Sequence, residues 1–227
     1  MTPIKQFSTG GNVRRSIANL STYVFHRNIF WTLLSTSAIA YFLFQKKLLP
    51  KPISFIVSKI FFYPSFPATA LLRYNNYWTH IDNTVILGCA PMAILDHPRK
   101  LHDLGVTGVI NLCAEYQGPV KAYNELGITQ LWLPTVDHFE PSLDSMKDAV
   151  KFINERKAKG GKVYVHCKAG HGRGASIALC SLMDSNPSID TMELNAKLCK
   201  VRKVRPALYK QPNIKLMKEF LNNSQKK

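Results

Sequence analysis

Short apolar runs alternate with longer helix-like segments over the C-terminal part of the chain. This alternation is typical of an α/β sheet with helices on its faces. The chain therefore predicts an α/β fold with a central sheet of about four to five strands flanked by helices. The predicted strands cover Thr84–Leu87, Gly108–Leu112, Ile128–Leu133 and Lys162–His166.

The segments between and after these runs carry helical signals. Ser142 is placed to cap a helix, because the apolar positions after it recur at steps of three and four residues. Those positions are Leu143, Met146, Val150 and Ile153. Further helices are predicted over Asp96–Leu104, Ala175–Met183, Ile189–Val204 and Asn213–Leu221.

The N-terminal part of the chain has a different pattern. Residues 29–44 form an apolar run without any charge, bounded on both sides by basic residues. Transmembrane helices need roughly 17 to 25 residues, so the length of this run is marginal, and we predict a transmembrane helix over residues 28–47 that includes its flanks. A cleaved signal peptide is the alternative, disfavoured because the small residues of a cleavage site lie inside the run.

The segments on either side of this run have separate interpretations. Residues 1–27 contain Ser, Thr, Asn and Arg with no acid, which predicts a basic targeting tail or a disordered one. After Pro50 and Pro52, residues 48–76 mix bulky apolar groups with basic residues. We expect a membrane-proximal segment lying on a bilayer surface, with an arm packed on the following domain as the alternative.

Charge separates the N-terminal part from the rest. The net charge is +16, and the first acidic residue is Asp82. A basic chain can bind nucleic acid, anionic lipid or phosphorylated substrates. The adjacent apolar run favours a membrane and anionic phospholipid, and no nucleic-acid-binding module accompanies the charge. Nine basic residues precede the first acid: Lys5, Arg14, Arg15, Arg27, Lys46, Lys47, Lys51, Lys59 and Arg73.

The five cysteines are odd in number and contain no CxxC pair. This pattern argues against a disulfide framework and against a zinc cage. We therefore expect a reducing compartment, free thiols, and neither a metal nor a cofactor.

The strongest chemical signal is the glycine-rich loop that follows the last predicted strand. A strand, a cysteine, a glycine-rich turn and a helix place the sulfur at a helix N-terminus, where free N–H groups favour a thiolate. Glycines let backbone amides surround phosphate oxygens, and Arg173 can bind two such oxygens at once. We expect Cys167 to attack a phosphate monoester, with His166 orienting the loop. The loop reads Cys167-Lys168-Ala169-Gly170-His171-Gly172-Arg173.

A leaving alkoxide needs a proton, so a carboxylic acid is expected on a separate loop facing the cysteine. Asp137 is the best candidate because it follows one predicted strand and precedes the Ser142-capped helix. Glu140 and Asp144 are the alternatives.

The His-Cys pair, the Arg six positions after the Cys and the upstream Asp resemble the signature of the protein tyrosine phosphatase superfamily, in its compact dual-specificity branch. Within that branch the chain resembles the mitochondrial phosphatidylglycerophosphate phosphatase family. The stretches that carry this resemblance are Phe62-Tyr63-Pro64 through Arg73-Tyr74, residues 81–88, Thr135-Val136-Asp137 and residues 163–170.

The resemblance implies a dual-specificity phosphatase fold over residues 77–223, with an N-terminal membrane-associated helical extension. It implies Cys167 as nucleophile, Arg173 as phosphate ligand and Asp137 as general acid. It also implies action in cardiolipin biosynthesis at the mitochondrial inner membrane, with the domain on the matrix side. Residues expected to contact the substrate are His166, Lys168, Ala169, Gly170, His171, Gly172, Glu115 and Tyr116.

Two departures from the family pattern leave alternatives open. The acidic EEYE stretch of the family reads Ala114-Glu115-Tyr116-Gln117 here, and Gly174 stands where relatives usually carry a Ser or Thr that helps the sulfur leave. The alternatives are a dual-specificity phosphatase acting on phosphoproteins, a phosphoinositide phosphatase, and a pseudophosphatase that binds without turnover. Another intracellular membrane is the alternative location.

Overall fold

The computed structural model describes the backbone of residues 10–224 and the side chains of residues 25–224. The chain divides after Leu48 into two compact units. The first unit contains helix α1, Gly10–Gln45, whose apolar side chains are largely exposed from residue 25 to residue 39. Most of the predicted targeting tail, residues 1–27, lies outside the described side chains.

The second unit opens with helix α2, Lys51–Leu72. In the described part of the chain, α2 is the one helix that is long and apolar enough to cross a membrane. The span predicted over residues 28–47 is helical as far as Gln45, and its insertion in a membrane stays a prediction. The bilayer-surface position predicted for residues 48–76 likewise stays a prediction.

Five strands form one sheet, with the order β1-β2-β5-β3-β4. Strand β1 is antiparallel to β2, and the other neighbours are parallel. The four predicted strands and the α/β class are confirmed, whereas β1 was not predicted. The bounds are β1 Trp78–His80, β2 Val85–Gly88, β3 Val106–Cys113, β4 Thr129–Thr135 and β5 Lys162–His166.

Six helices accompany this sheet. The predicted cap of α5 is confirmed, because Ser142 Oγ accepts a hydrogen bond of 3.2 Å from the Ser145 amide. Helix α7 ends three residues earlier than predicted, because Arg202 adopts an extended backbone. The helices are α3 His97–Asp103, α4 Val120–Glu125, α5 Leu143–Ala158, α6 Arg173–Ser185, α7 Thr191–Val201 and α8 Pro212–Ser224.

The sheet separates two apolar cores, because side chains on a strand alternate between its faces. On β5, Val163 and Val165 join the larger core, which holds side chains of α5, α6, α7 and α8. Tyr164 between them faces the smaller core, with Leu101 of α3 and Tyr123 of α4. The molecule is therefore layered, with helices on both faces of a mostly parallel sheet.

The parallel strands β2, β5, β3 and β4 end at one edge of the sheet. In open α/β sheets, ligands bind outside the carboxyl ends of the strands. The glycine-rich loop follows β5, and the segments containing Glu115 and Asp137 follow β3 and β4. This edge therefore gathers most of the side chains that the sequence singled out.

Candidate active site

The glycine-rich loop connects β5 to α6 and has its carbonyl groups bound to the surrounding scaffold. The amide of Ala90 donates to the Lys168 carbonyl (3.2 Å), and the amide of Arg205 donates to the His171 carbonyl (3.1 Å). Arg202 binds the carbonyls of Ala169 (3.3 Å) and Gly170 (3.2 Å). In a trans peptide the N–H points opposite to the C=O, so the loop amides are turned away from the scaffold. This orientation of the amides is the one that an amide-lined phosphate site requires.

Gly170 is the position where this loop geometry requires glycine. Its φ angle is 61°, in the left-handed region that other residues rarely adopt. A Cβ atom there would lie 2.5 Å from the Gly88 carbonyl oxygen and 2.9 Å from Arg202 Nη2. The loop can therefore pack on β2 only without a side chain at this residue.

Arg173, the first residue of α6, is buried and held by carboxylates. Its Nη1 and Nη2 donate to the two carboxylate oxygens of Glu115 at 2.8 and 2.7 Å. Nη1 also donates to the Thr135 carbonyl (2.7 Å), and Asp137 Oδ1 lies 3.0 Å from Nη2. Among the described residues, Nε of Arg173 has no hydrogen-bond partner. The guanidinium is thus held at Nη1 and Nη2, and its Nε–H group is the donor that remains for a ligand.

Asp137 is the carboxylate of this site that remains partly exposed, with 25% of its side-chain surface accessible. Burial raises the pKa of Asp137, but the positive charge of Arg173 and the neighbouring His138 outweigh it and hold this pKa below its usual range. Asp137 is therefore a carboxylate while it contacts Arg173. To donate a proton, Asp137 needs a nearby negative charge that raises the pKa of its carboxyl.

Cys167 begins the loop and is 4% exposed. His166 before it is fully buried, and this burial lowers its pKa to about 3. Its Nδ1 lies 3.4 Å from the Cys167 carbonyl oxygen. His166 is therefore a neutral ring inside the fold, in a position to orient the loop and not to contact substrate.

Lys168 points to helix α2. Its Nζ donates to Ser65 Oγ at 2.5 Å and lies 5.7 Å from the ring centroid of Phe62. Phe62 stacks on Tyr116 with ring centroids 5.1 Å apart, and the Tyr116 hydroxyl donates to the Pro91 carbonyl. Helix α2 is thus packed against both predicted substrate-contacting segments.

His171 also faces away from the interior of the loop. Its Nδ1 lies 3.0 Å from the Lys203 carbonyl and 3.3 Å from Nη2 of Arg73, just after α2. Burial lowers the pKa of His171. The resemblance implies that His171 contacts the substrate, whereas the structure gives it contacts with the scaffold.

Arg202 is a functional residue that sequence reasoning missed. It lies in a basic stretch of the sequence with Lys200, Lys203 and Arg205, yet it is 3% exposed. Besides the loop carbonyls, it binds the Asn76 carbonyl (2.9 Å) and the Thr79 hydroxyl (3.0 Å). No local pattern separates this arginine from its basic neighbours, because its partners come from distant segments.

The structure therefore brings together Cys167, Arg173, Asp137 and Glu115 at the carboxyl edge of the sheet. Loop amides and a guanidinium can neutralise a phosphate group, and a thiolate at the loop's first position can attack it. Tyr116, Lys168 and His171 lie around this centre and bind the scaffold. Of the alternative acids, Glu140 instead accepts from the Asn213 amide (3.2 Å).

Comparison with known proteins shows similarity to a phosphatase family. Residues 85–226 match the family model described as "Dual specificity phosphatase, catalytic domain". The chain is 34% identical over 171 residues to the phosphatidylglycerophosphate phosphatase PTPMT2 of Arabidopsis thaliana, covering 71% of this chain and 72% of the relative. It is 30% identical over 177 residues to the human phosphatidylglycerophosphatase and protein-tyrosine phosphatase 1, covering 72% and 86%.

Solved structures agree with these similarities. The crystal structure of PTPMT1 is 31% identical, has a TM-score of 0.55, and covers 65% of this chain and 95% of its own. A second structure, of PTPMT1 in complex with PI(5)P, is 28% identical with a TM-score of 0.55.

Proposed function

The chain belongs to the dual specificity phosphatase family, and we propose that it hydrolyses the terminal phosphate of phosphatidylglycerophosphate through a phosphocysteine on Cys167. The observation that carries the chemistry is the contact of Asp137 with Arg173, 3.0 Å apart, at the end of the Cys167 loop. The lipid substrate is supported by the similarity to the plant and human phosphatases of that name.

In the first step the phosphate monoester binds to the loop amides and to Arg173. Its oxygens accept hydrogen bonds from Nε and Nη2 of the guanidinium, and the Asp137 carboxylate moves away from Nη2. Glu115 keeps its two hydrogen bonds to Nη1 and Nη2 throughout, so the guanidinium does not rotate. The negative phosphate then stands beside Asp137 and raises the pKa of its carboxyl, because like charges disfavour ionisation.

Chemistry follows in two displacements. The Cys167 thiolate forms an S–P bond while the P–O bond to the alcohol breaks, and protonated Asp137 gives its proton to the leaving oxygen. The Asp137 carboxylate then takes a proton from water, whose oxygen attacks phosphorus and displaces the thiolate. The products are the alcohol and inorganic phosphate.

The proposal places the protein on a membrane through α2 and the preceding apolar run. Exposed apolar side chains recur along α2 at steps of three and four residues: Ile53, Ile56, Ile60, Tyr63, Pro67 and Leu71. A helix face of this kind suits a bilayer interface. The acid-free, Arg- and Ser-containing N-terminus supports targeting to mitochondria, and the proposed location is the inner membrane with the catalytic domain on the matrix side.

The test is phosphate release from phosphatidylglycerophosphate in vesicles by the full chain. Wild type should release phosphate, Cys167→Ser should release none, and Asp137→Ala should be slower by roughly 100-fold or more. Release by Cys167→Ser at the wild-type rate, or none by wild type, would refute the proposal.

A phosphoinositide monoester is the second candidate substrate. It is favoured by the 28% identical PTPMT1 structure in complex with PI(5)P. Phosphotyrosine in proteins is a further class, since the human relative is also named a protein-tyrosine phosphatase. Competition of each compound against phosphatidylglycerophosphate in one assay ranks the three classes by kcat/KM.

A further inference from the structure

A groove of about 460 Å³ opens between α2 and the segment after β3. Glu115 is one of its lining residues and also binds Arg173 through both carboxylate oxygens. The groove is therefore separated from the phosphate-binding guanidinium by one side chain. The lining residues used below are Lys59, Tyr63, Tyr116, Gln117 and Trp132.

The charge of this groove suits an anion. The carboxylate of Glu115 is neutralised by its bidentate pairing with Arg173. Lys59 adds an exposed ammonium group, which lies 5.0 Å from the ring centroid of Phe55 on the same helix. Tyr63 and Gln117 add a hydroxyl and an amide, both of which can donate hydrogen bonds.

Contacts outside the groove hold its lining side chains in place. Phe62, next to Tyr63 in sequence, is 2% exposed and stacks on Tyr116. Trp132 donates from Nε1 to the Cys113 carbonyl at 2.8 Å. Helix α2 and the catalytic domain thus present one preformed surface, which lowers the entropy cost of binding a ligand there.

We propose that this groove binds the phosphodiester group of a glycerophospholipid substrate, with Lys59 as its ionic partner. The inference deepens the proposed function and rests on it. Phosphatidylglycerophosphate carries a reactive phosphate monoester and, one glycerol unit away, a phosphodiester. Glu115 borders both the groove and the Arg173 guanidinium. One substrate molecule can therefore place its monoester in the catalytic loop and its diester in the groove.

Lys59 thereby distinguishes substrates that share the reactive group. Phosphatidic acid has a phosphate monoester and two acyl chains but lacks the second phosphate, so it gains nothing from Lys59. A charge-assisted hydrogen bond contributes on the order of a tenfold preference. The groove therefore selects for a lipid with two phosphates at the spacing of one glycerol.

The test uses dihexanoyl phosphatidylglycerophosphate and dihexanoyl phosphatidic acid as monomers below their micelle concentrations, so that vesicle binding does not enter. Lys59→Met removes the charge and keeps most of the side-chain stem. Lys51→Met is the matched control, because it removes the same charge from an exposed position at the start of α2, outside the groove. The quantity measured is the ratio of kcat/KM for the two lipids.

Lys59→Met should lower this ratio about tenfold, mainly through KM for phosphatidylglycerophosphate, and Lys59→Arg should restore most of it. Lys51→Met should keep the wild-type ratio. An unchanged ratio in Lys59→Met overturns the inference alone, as does an equal fall in both lysine variants. No release from phosphatidylglycerophosphate by wild type overturns the proposed function and this inference together.

Discussion

Arg173 and Glu115 form a fully buried ion pair with two hydrogen bonds, at 2.7 and 2.8 Å. A buried pair of this kind contributes little net stability, but loss of one partner leaves the other charge uncompensated. Glu115 is therefore a positioning residue, which keeps the guanidinium aligned with the loop. The resemblance implies Glu115 as a substrate contact, whereas the structure places its carboxylate on Arg173.

Glu115→Gln should lower the free energy of unfolding by about 3 kcal/mol, since Arg173 keeps Asp137 but loses its principal partner. The same change should lower kcat/KM about 100-fold on every phosphate monoester, because the guanidinium is misplaced. Urea unfolding and steady-state kinetics measure the two effects.

The control is Glu193→Gln, which removes an exposed carboxylate 2.9 Å from Lys197. Exposed pairs contribute about 0 to 1 kcal/mol, so this variant should match wild type in both measurements. Wild-type activity in Glu115→Gln would show that Glu115 does not position Arg173.

Gly174 offers a second experiment on a single residue. A Cβ atom there would lie 3.3 Å from the Cys167 amide nitrogen and 3.2 Å from Leu87 Cδ1, so a small side chain fits with a slight shift. Gly174→Ser would bring a hydroxyl beside the sulfur and stabilise it as it leaves phosphorus. Turnover should rise on the order of tenfold, the effect of one hydrogen bond to a charged group.

Gly174→Ala is the matched control, because it adds the Cβ atom without the hydroxyl. It should show no gain in turnover, and rapid-quench measurement of the alcohol product, which leaves in the first displacement, should show a burst in wild type that Gly174→Ser lacks. An equal gain in both variants would mean that the hydroxyl is not responsible.

Helix α2 has a buried face and an exposed apolar face. Its inner face carries Phe62 and Phe66, which are 2% and 3% exposed and pack with Ala90. Its outer face carries apolar side chains that the described part of the chain leaves exposed, such as Ile56 (57%) and Ile60 (62%). Contacts from the inner face reach Lys168, so the helix that carries this exposed apolar face also supports the Cys167 loop.

The paired change Ile56→Glu and Ile60→Glu should weaken binding of the full chain to anionic vesicles by about tenfold or more, since each isoleucine loses its apolar burial. Co-sedimentation with phosphatidylglycerol-containing vesicles measures the affinity. Val120→Glu on α4, where valine is 40% exposed, is the control and should bind as wild type. Undiminished binding by the paired variant would exclude this face as the membrane contact.

Most elements around the site could be predicted because their patterns are local. The alternation on β5, the cap at Ser142 and the glycine loop each occupy a few consecutive residues. Strand β1 and helix α4 were missed because three and six residues are too short to show a period. The roles of Arg202 and Ser65 depend on partners far along the chain, and local sequence does not show such contacts.

At the scale of the whole molecule, the parallel sheet assembles the site by ending its strands at one edge. The same burial that builds the two cores leaves two histidines inside the fold. Burial lowers the pKa of His97 to about 4 and that of His166 to about 3. Both are therefore neutral over the pH range in which an unfolded histidine, with pKa about 6.5, becomes charged.

These shifts predict how stability depends on pH. The lowered pKa values contribute stability that is fully present above pH about 6.5 and is lost as pH falls through 4, because the unfolded chain binds protons first. Urea unfolding at pH 7, 5 and 4 should show a steady decline, and His97→Gln should make it shallower. The same slope in His97→Gln and wild type would contradict the assignment for His97.

The central claim is a covalent phosphate on the Cys167 sulfur, and the direct measurement is rapid acid quench during turnover of phosphatidylglycerophosphate, followed by mass spectrometry of the peptides. The peptide containing Cys167 should carry one phosphate in wild type and none in Cys167→Ser. Steady phosphate release with Cys167 unmodified at every quench time, or with phosphate on another residue, would contradict it.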